Sequence, residues 1–174
     1  MKQDISNCKL MEVNGVVFGI LDSYGNIDVP RCKELVELSK PMQVTFHRAF
    51  DVISDPVRAL NDLIDIGFDR ILTSGQKQTA VEGIELLSEL VNIATDRIII
   101  MPGGGVRFNN IKYLIKLTGA MEFHTSALKQ IQSSMKYINS NINMGLNKSN
   151  VNDYFESDPK IISEFMNTVK NLQK

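Results

Sequence analysis

Five short apolar runs recur through this chain of 174 residues, starting near residues 16, 43, 70, 97 and 121. Between them lie segments whose apolar residues fall at helical spacing. The period of roughly 24 to 27 residues is that of a βα repeat and predicts a parallel α/β sheet. Polar residues share one face of the second and fifth runs: Thr45 and His47 in one, Glu122, His124 and Ser126 in the other. Such faces suit the interior of a (β/α)₈ barrel, which opens onto a site at the C-terminal ends of its strands. A barrel needs eight strands and about 250 residues. The expected architecture is therefore an incomplete TIM-type barrel of about five parallel strands with their helices.

In order, residues 2–13 carry Ile5, Cys8 and Met11 at helical spacing, with Gly15 expected as the C-cap. A short strand at residues 16–21 and turn chemistry at residues 22–26 follow. Asp28 caps the next helix, residues 29–39, with Pro30 in its first turn. The second strand is residues 43–46. Asp55 and Pro56 then open a helix with an apolar face of Val57, Leu60, Leu63 and Ile64, closed by Gly67. Residues 70–73 form the third strand. Thr79 and Glu82 have the spacing of a capping box before the helix bearing Ile84, Leu87 and Val91. The fourth strand is residues 97–101, and Gly119 ends the helix after it. Residues 121–126 are expected as the fifth strand, residues 129–156 as an irregular loop, and residues 157–174 as a terminal helix opened by Asp158 and Pro159, with a stripe of Ile161, Ile162, Phe165, Val169 and Leu172.

The organising stretch is RIIIMPGGG at residues 97–105. Three consecutive isoleucines suit a strand buried on both faces, and Pro102, which cannot donate to a ladder, is expected to stop it. Gly103, Gly104 and Gly105 either make a tight turn or bring bare N–H groups to an anion, as strand-to-helix junctions do in α/β folds.

The composition is that of an ordinary globular domain, 43% hydrophobic and 22% charged with a formal net charge of -1. No basic excess points to nucleic acid, and no apolar run approaches the ~20 residues that span a bilayer. Residues 1–14 lack the apolar centre of a signal peptide. Cys8 and Cys32 form no CxxC pair, so buried reduced thiols are the expectation, with a cytoplasmic location.

Several motifs together resemble the CutC copper homeostasis family. They are TFHRAFD (residues 45–51), Asp55-Pro56, GFDRILTSG (67–75), MPGGG (101–105) and EFHTSA (122–127), joined by GVVFG (15–19) and the weaker MKY (135–137) with Met144-Gly145. The resemblance covers nearly the whole chain as one CutC-like domain. It implies a barrel in the cytosol, usually a homo-oligomer, assigned to copper handling, with copper(I) bound by some members. It also implies three further βα units before the position of Met1, carrying the cysteines proposed to hold copper. Cys8 and Cys32 do not match those positions. A chain lacking those units is expected to expose two sheet edges and to associate.

His47 and His124 are either acid–base or ligand groups at the rim, or hydrogen-bonded core histidines. Arg48 either forks onto a carboxylate or phosphate or pairs with Asp51 or Glu122. Ser74, Gly75, Gly103, Gly104, Gly105 and Ser126 are the anion-binding candidates, since loops after late barrel strands form phosphate sites. Eight methionines scattered at core spacing are gap fillers before they are copper ligands. Copper(I) prefers sulfur, which two imidazoles do not supply. Two functions follow: a CutC-like copper homeostasis protein, or a barrel enzyme or enzyme relic binding a small anionic or phosphorylated substrate through His47, Arg48 and His124.

Overall fold

The computed structural model describes residues 1–137, 139, 141 and 153–172, in two compact units, Met1–Thr125 and Ser126–Leu172. The first unit runs α1 (Lys2–Leu10), β1 (Gly15–Phe18), α2 (Val29–Ser39), β2 (Gln43–Phe46), a 3₁₀ turn (Arg48–Val52), α3 (Pro56–Ile66), β3 (Arg70–Thr73), α4 (Ile84–Ala94), β4 (Ile99–Pro102) and α5 (Ile111–Thr118). The four strands pair in chain order and in parallel.

The helix boundaries follow local chemistry. Asp28 accepts from Arg31 N–H and Asp55 from Arg58 N–H, so each carboxylate satisfies an orphan donor of its helix. Gly67, at φ 96, turns the chain out of α3 while its N–H meets the Leu63 and Ile64 carbonyls. Two expectations shift. Met11, not Gly15, caps α1, because Glu12 takes the left-handed conformation at φ 55. Gly15 instead opens β1, where an added Cβ would stand 2.8 Å from the Gln43 carbonyl oxygen. The Thr79–Glu82 box does form, with reciprocal bonds of 3.2 and 3.3 Å, but it closes a separate turn; α4 starts at Ile84 after Gly83.

Register aligns Phe18 with Phe46, Phe46 with Ile71, Ile71 with Ile100 and Thr73 with Pro102. These side chains, with Val44, share one buried face. Leu60, Leu63, Leu87, Leu90, Ile111 and Leu114 are fully buried on the helices. Phe18, Phe46 and Phe68 meet edge to face at 5.4 Å between centroids. The opposite face carries Val17, Thr45, Leu72 and Met101, and Val17 there is 62% exposed.

Residues 121–126 form no strand, so the parallel sheet has four members instead of five. His124 N–H does reach the Pro102 carbonyl at 2.9 Å, and Glu122 grips Arg70 through two hydrogen bonds, of 2.5 and 3.1 Å. Alternation reports which face a side chain takes, not whether the backbone finds the repeated bonds of a ladder. Arg70, held charged first by its hydrogen bond to Glu122, ties this segment beside β3.

The second unit pairs β5 (Leu128–Ile131) with β6 (Tyr154–Ser157) in antiparallel register, followed by α6 (Pro159–Leu172). The ends of the expected loop at residues 129–156 are thus a two-stranded ribbon. Met144 and Gly145 lie outside the described residues. On α6 Phe165 is buried, while Ile162 and Leu172 remain exposed.

Leu63 has no exposed surface. Leu63→Ala should cost roughly 3–5 kcal/mol through lost transfer energy and a residual cavity. Denaturant titration would detect this as a lower midpoint at unchanged slope, and a loss under 1 kcal/mol would contradict the core assigned here.

Candidate functional site at the C-terminal ends of the strands

Parallel pairing brings the residues after β1, β2, β3 and β4 to one edge: Gly19, His47, Ser74 and Gly103. His47 caps the 3₁₀ turn, its Nδ1 accepting from Ala49 N–H at 3.2 Å, and its ring meets Phe46 at an angle of 67°. An accepting Nδ1 puts the ring hydrogen of the neutral imidazole on Nε2. A Cβ on Gly19 would lie 2.9 Å from His47 Nδ1, so the glycine makes room for the imidazole. The sequence reading has Gly19 inside a strand of residues 16–21 and not among the site residues; β1 in fact ends at Phe18, so the glycine follows the strand directly.

The turn presents Arg48 and Asp51 toward the β3 loop. Asp51, with its side chain 10% exposed, accepts four hydrogen bonds. They come from Arg48 Nε at 2.5 Å, Thr73 Oγ1 at 2.6 Å, Ser74 N–H at 2.9 Å and Gln76 N–H at 3.2 Å. Burial pushes this carboxyl upward, yet the bonds from Thr73, Arg48, Ser74 and Gln76 outweigh it and hold the group below its ordinary range. Of the two partners open to Arg48, the structure selects Asp51; Glu122 is engaged by Arg70. Arg48 Nη2 also donates to Ser74 Oγ at 2.8 Å, and Nη1 lies 3.1 Å from where a Cβ on Gly104 would stand. Thr73, Gln76 and Gly19 thus join the site, and only Gly19 had a recognisable signature.

The glycine loop divides into used and unused donors. Gly75 N–H goes to Thr73 Oγ1, Ser74 N–H to Asp51, and Gly103 N–H to the Thr73 carbonyl. Among the described residues no protein acceptor takes the N–H of Gly104 or Gly105. Both have positive φ, 91 and 72, which keeps their backbone bare. The Gly104 carbonyl accepts from Ala80 N–H at 2.8 Å, which pins the loop. His124 is exposed and lies over Gly103, its Cβ 3.3 Å from the position a Gly103 side chain would take. Ser126 belongs to the second unit, where its carbonyl accepts from Ser157 Oγ at 3.0 Å. The structure therefore assembles His47, Arg48, Ser74, Gly75, Gly103, Gly104 and, along the same edge, His124.

Two cavities of about 370 Å³ lie elsewhere. One, between α1 and β1, is lined by Ile5, Cys8 and Val17 among others. The other, at the start of β4, includes Thr95, Ile99 and Met121. Cys32 is fully buried with Sγ 3.7 Å from the Ile20 carbonyl, and burial pushes its thiol up. Among the described residues no group of three or more His, Cys, Asp or Glu is placed to hold a metal ion, and no helix is long and apolar enough to cross a membrane.

Comparison with known proteins gives one family. The CutC family model matches residues 1–129. A CutC family protein of Parabacteroides distasonis is 55% identical over 157 residues, covering 90% of this chain and 64% of the relative. The human copper homeostasis protein cutC homolog is 44% identical over 149 residues, covering 86% and 55%. The crystal structure of the CutC protein of Streptococcus agalactiae superposes with a TM-score of 0.67 at 35% identity, over 71% of this chain and 60% of that one. An aldolase shares the fold at 15% identity and a TM-score of 0.57, over 70% and 58%. The chain spans about half to two-thirds of the length of these relatives.

Because Asp51 titrates lower in the folded chain than when unfolded, its stabilisation is complete above the ordinary carboxylate range and is lost as pH falls through that range to its depressed value. Thermal melts should drop from about pH 5 toward pH 2, and Asp51→Asn should flatten that drop while costing about 2–3 kcal/mol at neutral pH. An acid limb unchanged in the variant would remove Asp51 from this role.

Proposed function

The chain belongs to the CutC family, and from that premise we propose that it serves copper homeostasis, the role for which its mammalian relatives are named, by holding a small oxyanion or phosphorylated molecule at the rim of β2, β3 and β4. The observation that carries this reading is the held guanidinium of Arg48 beside Gly104, whose N–H, like that of Gly105, takes no protein acceptor among the described residues. With Nε on Asp51 and Nη2 on Ser74, the remaining guanidinium nitrogen, Nη1, and a bare backbone turn together supply donors for an oxyanion.

Copper(I) as a directly bound cargo finds less support in the same residues. The soft ion asks for clustered sulfur. Cys32 is buried against a carbonyl, Cys8 lines a separate cavity, and the rim offers imidazole, guanidinium and hydroxyl instead. Nor does the donor set support a step routed through the metal. His47 suits binding in this reading: with Nδ1 accepting from Ala49 N–H, the ring hydrogen lies on Nε2, which can donate to an anion. Arg48 would hold the anion and His124 would border it.

In this reading the protein is cytosolic, with its two cysteines as thiols. It also self-associates in this reading, since β1 ends the four-stranded sheet and pairs on one side only among the described residues. Sedimentation velocity at tens of micromolar should show a dimer or larger species; a cooperatively unfolding monomer would refute the association.

For the site itself, inorganic phosphate at millimolar concentration should raise the melting temperature of the wild-type chain, and Arg48→Ala should abolish the shift. A copper(I) competition titration run beside it should find no stoichiometric site. Tight copper binding without a phosphate response would reverse the assignment.

A further inference from the structure

Gln76 follows Ser74-Gly75 in the loop after β3 and takes a left-handed conformation at φ 58, an unfavourable choice for a residue with a side chain. An ordinary loop would place glycine there. Strain that persists in a site asks what the side chain supplies in return. The Gln76 amide Nε2 donates to the Ile53 carbonyl at 2.6 Å and reaches the Phe50 carbonyl at 3.4 Å. Those carbonyls sit in and just after the 3₁₀ turn that carries Arg48 and Asp51. Its main-chain N–H donates to Asp51 at 3.2 Å. One residue therefore fastens that turn to the β3 loop at two points, through its backbone and through its side chain.

We infer that Gln76 is the positioning residue of the rim's anion site, holding the Arg48–Asp51 turn so that the guanidinium faces Gly104. The inference rests on the anion reading above. Gln76 touches no ligand in this role. It acts through Asp51, which orients Arg48 Nε, and through the turn carbonyls, which fix the path of the chain between them.

The consequence is an unusual separation of stability from binding. Gln76→Gly relieves the backbone conformation and keeps the N–H bond to Asp51, while deleting the side-chain clamp. Gln76→Glu keeps the length but offers a carboxylate to two carbonyl oxygens, with no hydrogen to donate. The experiment is an isothermal titration of inorganic phosphate into wild type, Gln76→Gly, Gln76→Glu and Arg48→Ala, with a thermal melt of each. Wild type should bind, Arg48→Ala should not, and Gln76→Gly should melt at or above wild type yet bind phosphate at least about tenfold more weakly. Gln76→Glu should lose affinity in the same way. Wild-type affinity in Gln76→Gly would overturn the inference while leaving the anion reading standing. Affinity and melting temperature falling together in both Gln76 variants would also overturn it, in favour of a merely structural role. No phosphate binding by wild type would overturn the anion reading and the assignment of Gln76 with it.

Discussion

A carboxylate taken largely out of water must find hydrogen-bond partners or give up its charge, and Asp51 finds four of them on two different βα loops. Two are backbone N–H groups of the β3 loop, one is the buried hydroxyl of Thr73, and one is the guanidinium of Arg48. The chain after β3 thus cannot settle independently of the turn after β2. The same carboxylate that fixes the loop also takes up one edge of Arg48 and leaves the other toward Gly104. The path of the β3 loop and the pose of Arg48 are coupled at this one side chain. Its ionised form is favoured because so many donors converge on it, despite the cost of burial.

The sequence was most informative where local chemistry decides. Asp28, Asp55, Gly67 and Gly119 sit where caps and left-handed stops are needed, and the structure uses each so. Strand faces were readable too: Val44 and Phe46 turn inward while Thr45 and His47 follow the other parity, as a period of two requires. Less legible was whatever depends on a partner strand. Residues 121–126 have the alternation of a strand but form no ladder. At the rim, His47, Arg48 and the glycines stood out by residue type. Gln76 did not, because a positive φ at glutamine and a clamp onto carbonyls 23 and 26 positions back leave no trace in a local pattern.

The family identity and the donor chemistry carry different weight. Identity of 44% to 55% across most of this chain speaks to ancestry and fold. What the site can bind is a matter of which atoms converge. Here the convergent groups are a guanidinium, a carboxylate, hydroxyls and backbone N–H groups, and the two cysteine sulfurs are apart: Cys32 in the core, Cys8 beside the α1–β1 cavity. A link to copper homeostasis through a small anion is compatible with both facts, whereas among the described residues no group of three or more His, Cys, Asp or Glu is placed to hold a metal ion.

The rim is also local in a way the barrel is not. Its elements come from three consecutive strand ends: the turn after β2, the loop after β3 and the glycines after β4. Parallel register delivers them to one edge without requiring the ring to close. The open edge of the sheet at β1, where Val17 is exposed, is a separate matter that association would address. An anion bound by Arg48 and the Gly104–Gly105 amides would therefore draw on contacts already complete within this unit. The strained backbone at Gln76 makes sense in that setting. A turn only five residues long has no core of its own to fix its angle, so a neighbouring loop must hold it, and the one that does so also supplies the hydroxyl of Ser74 to the guanidinium.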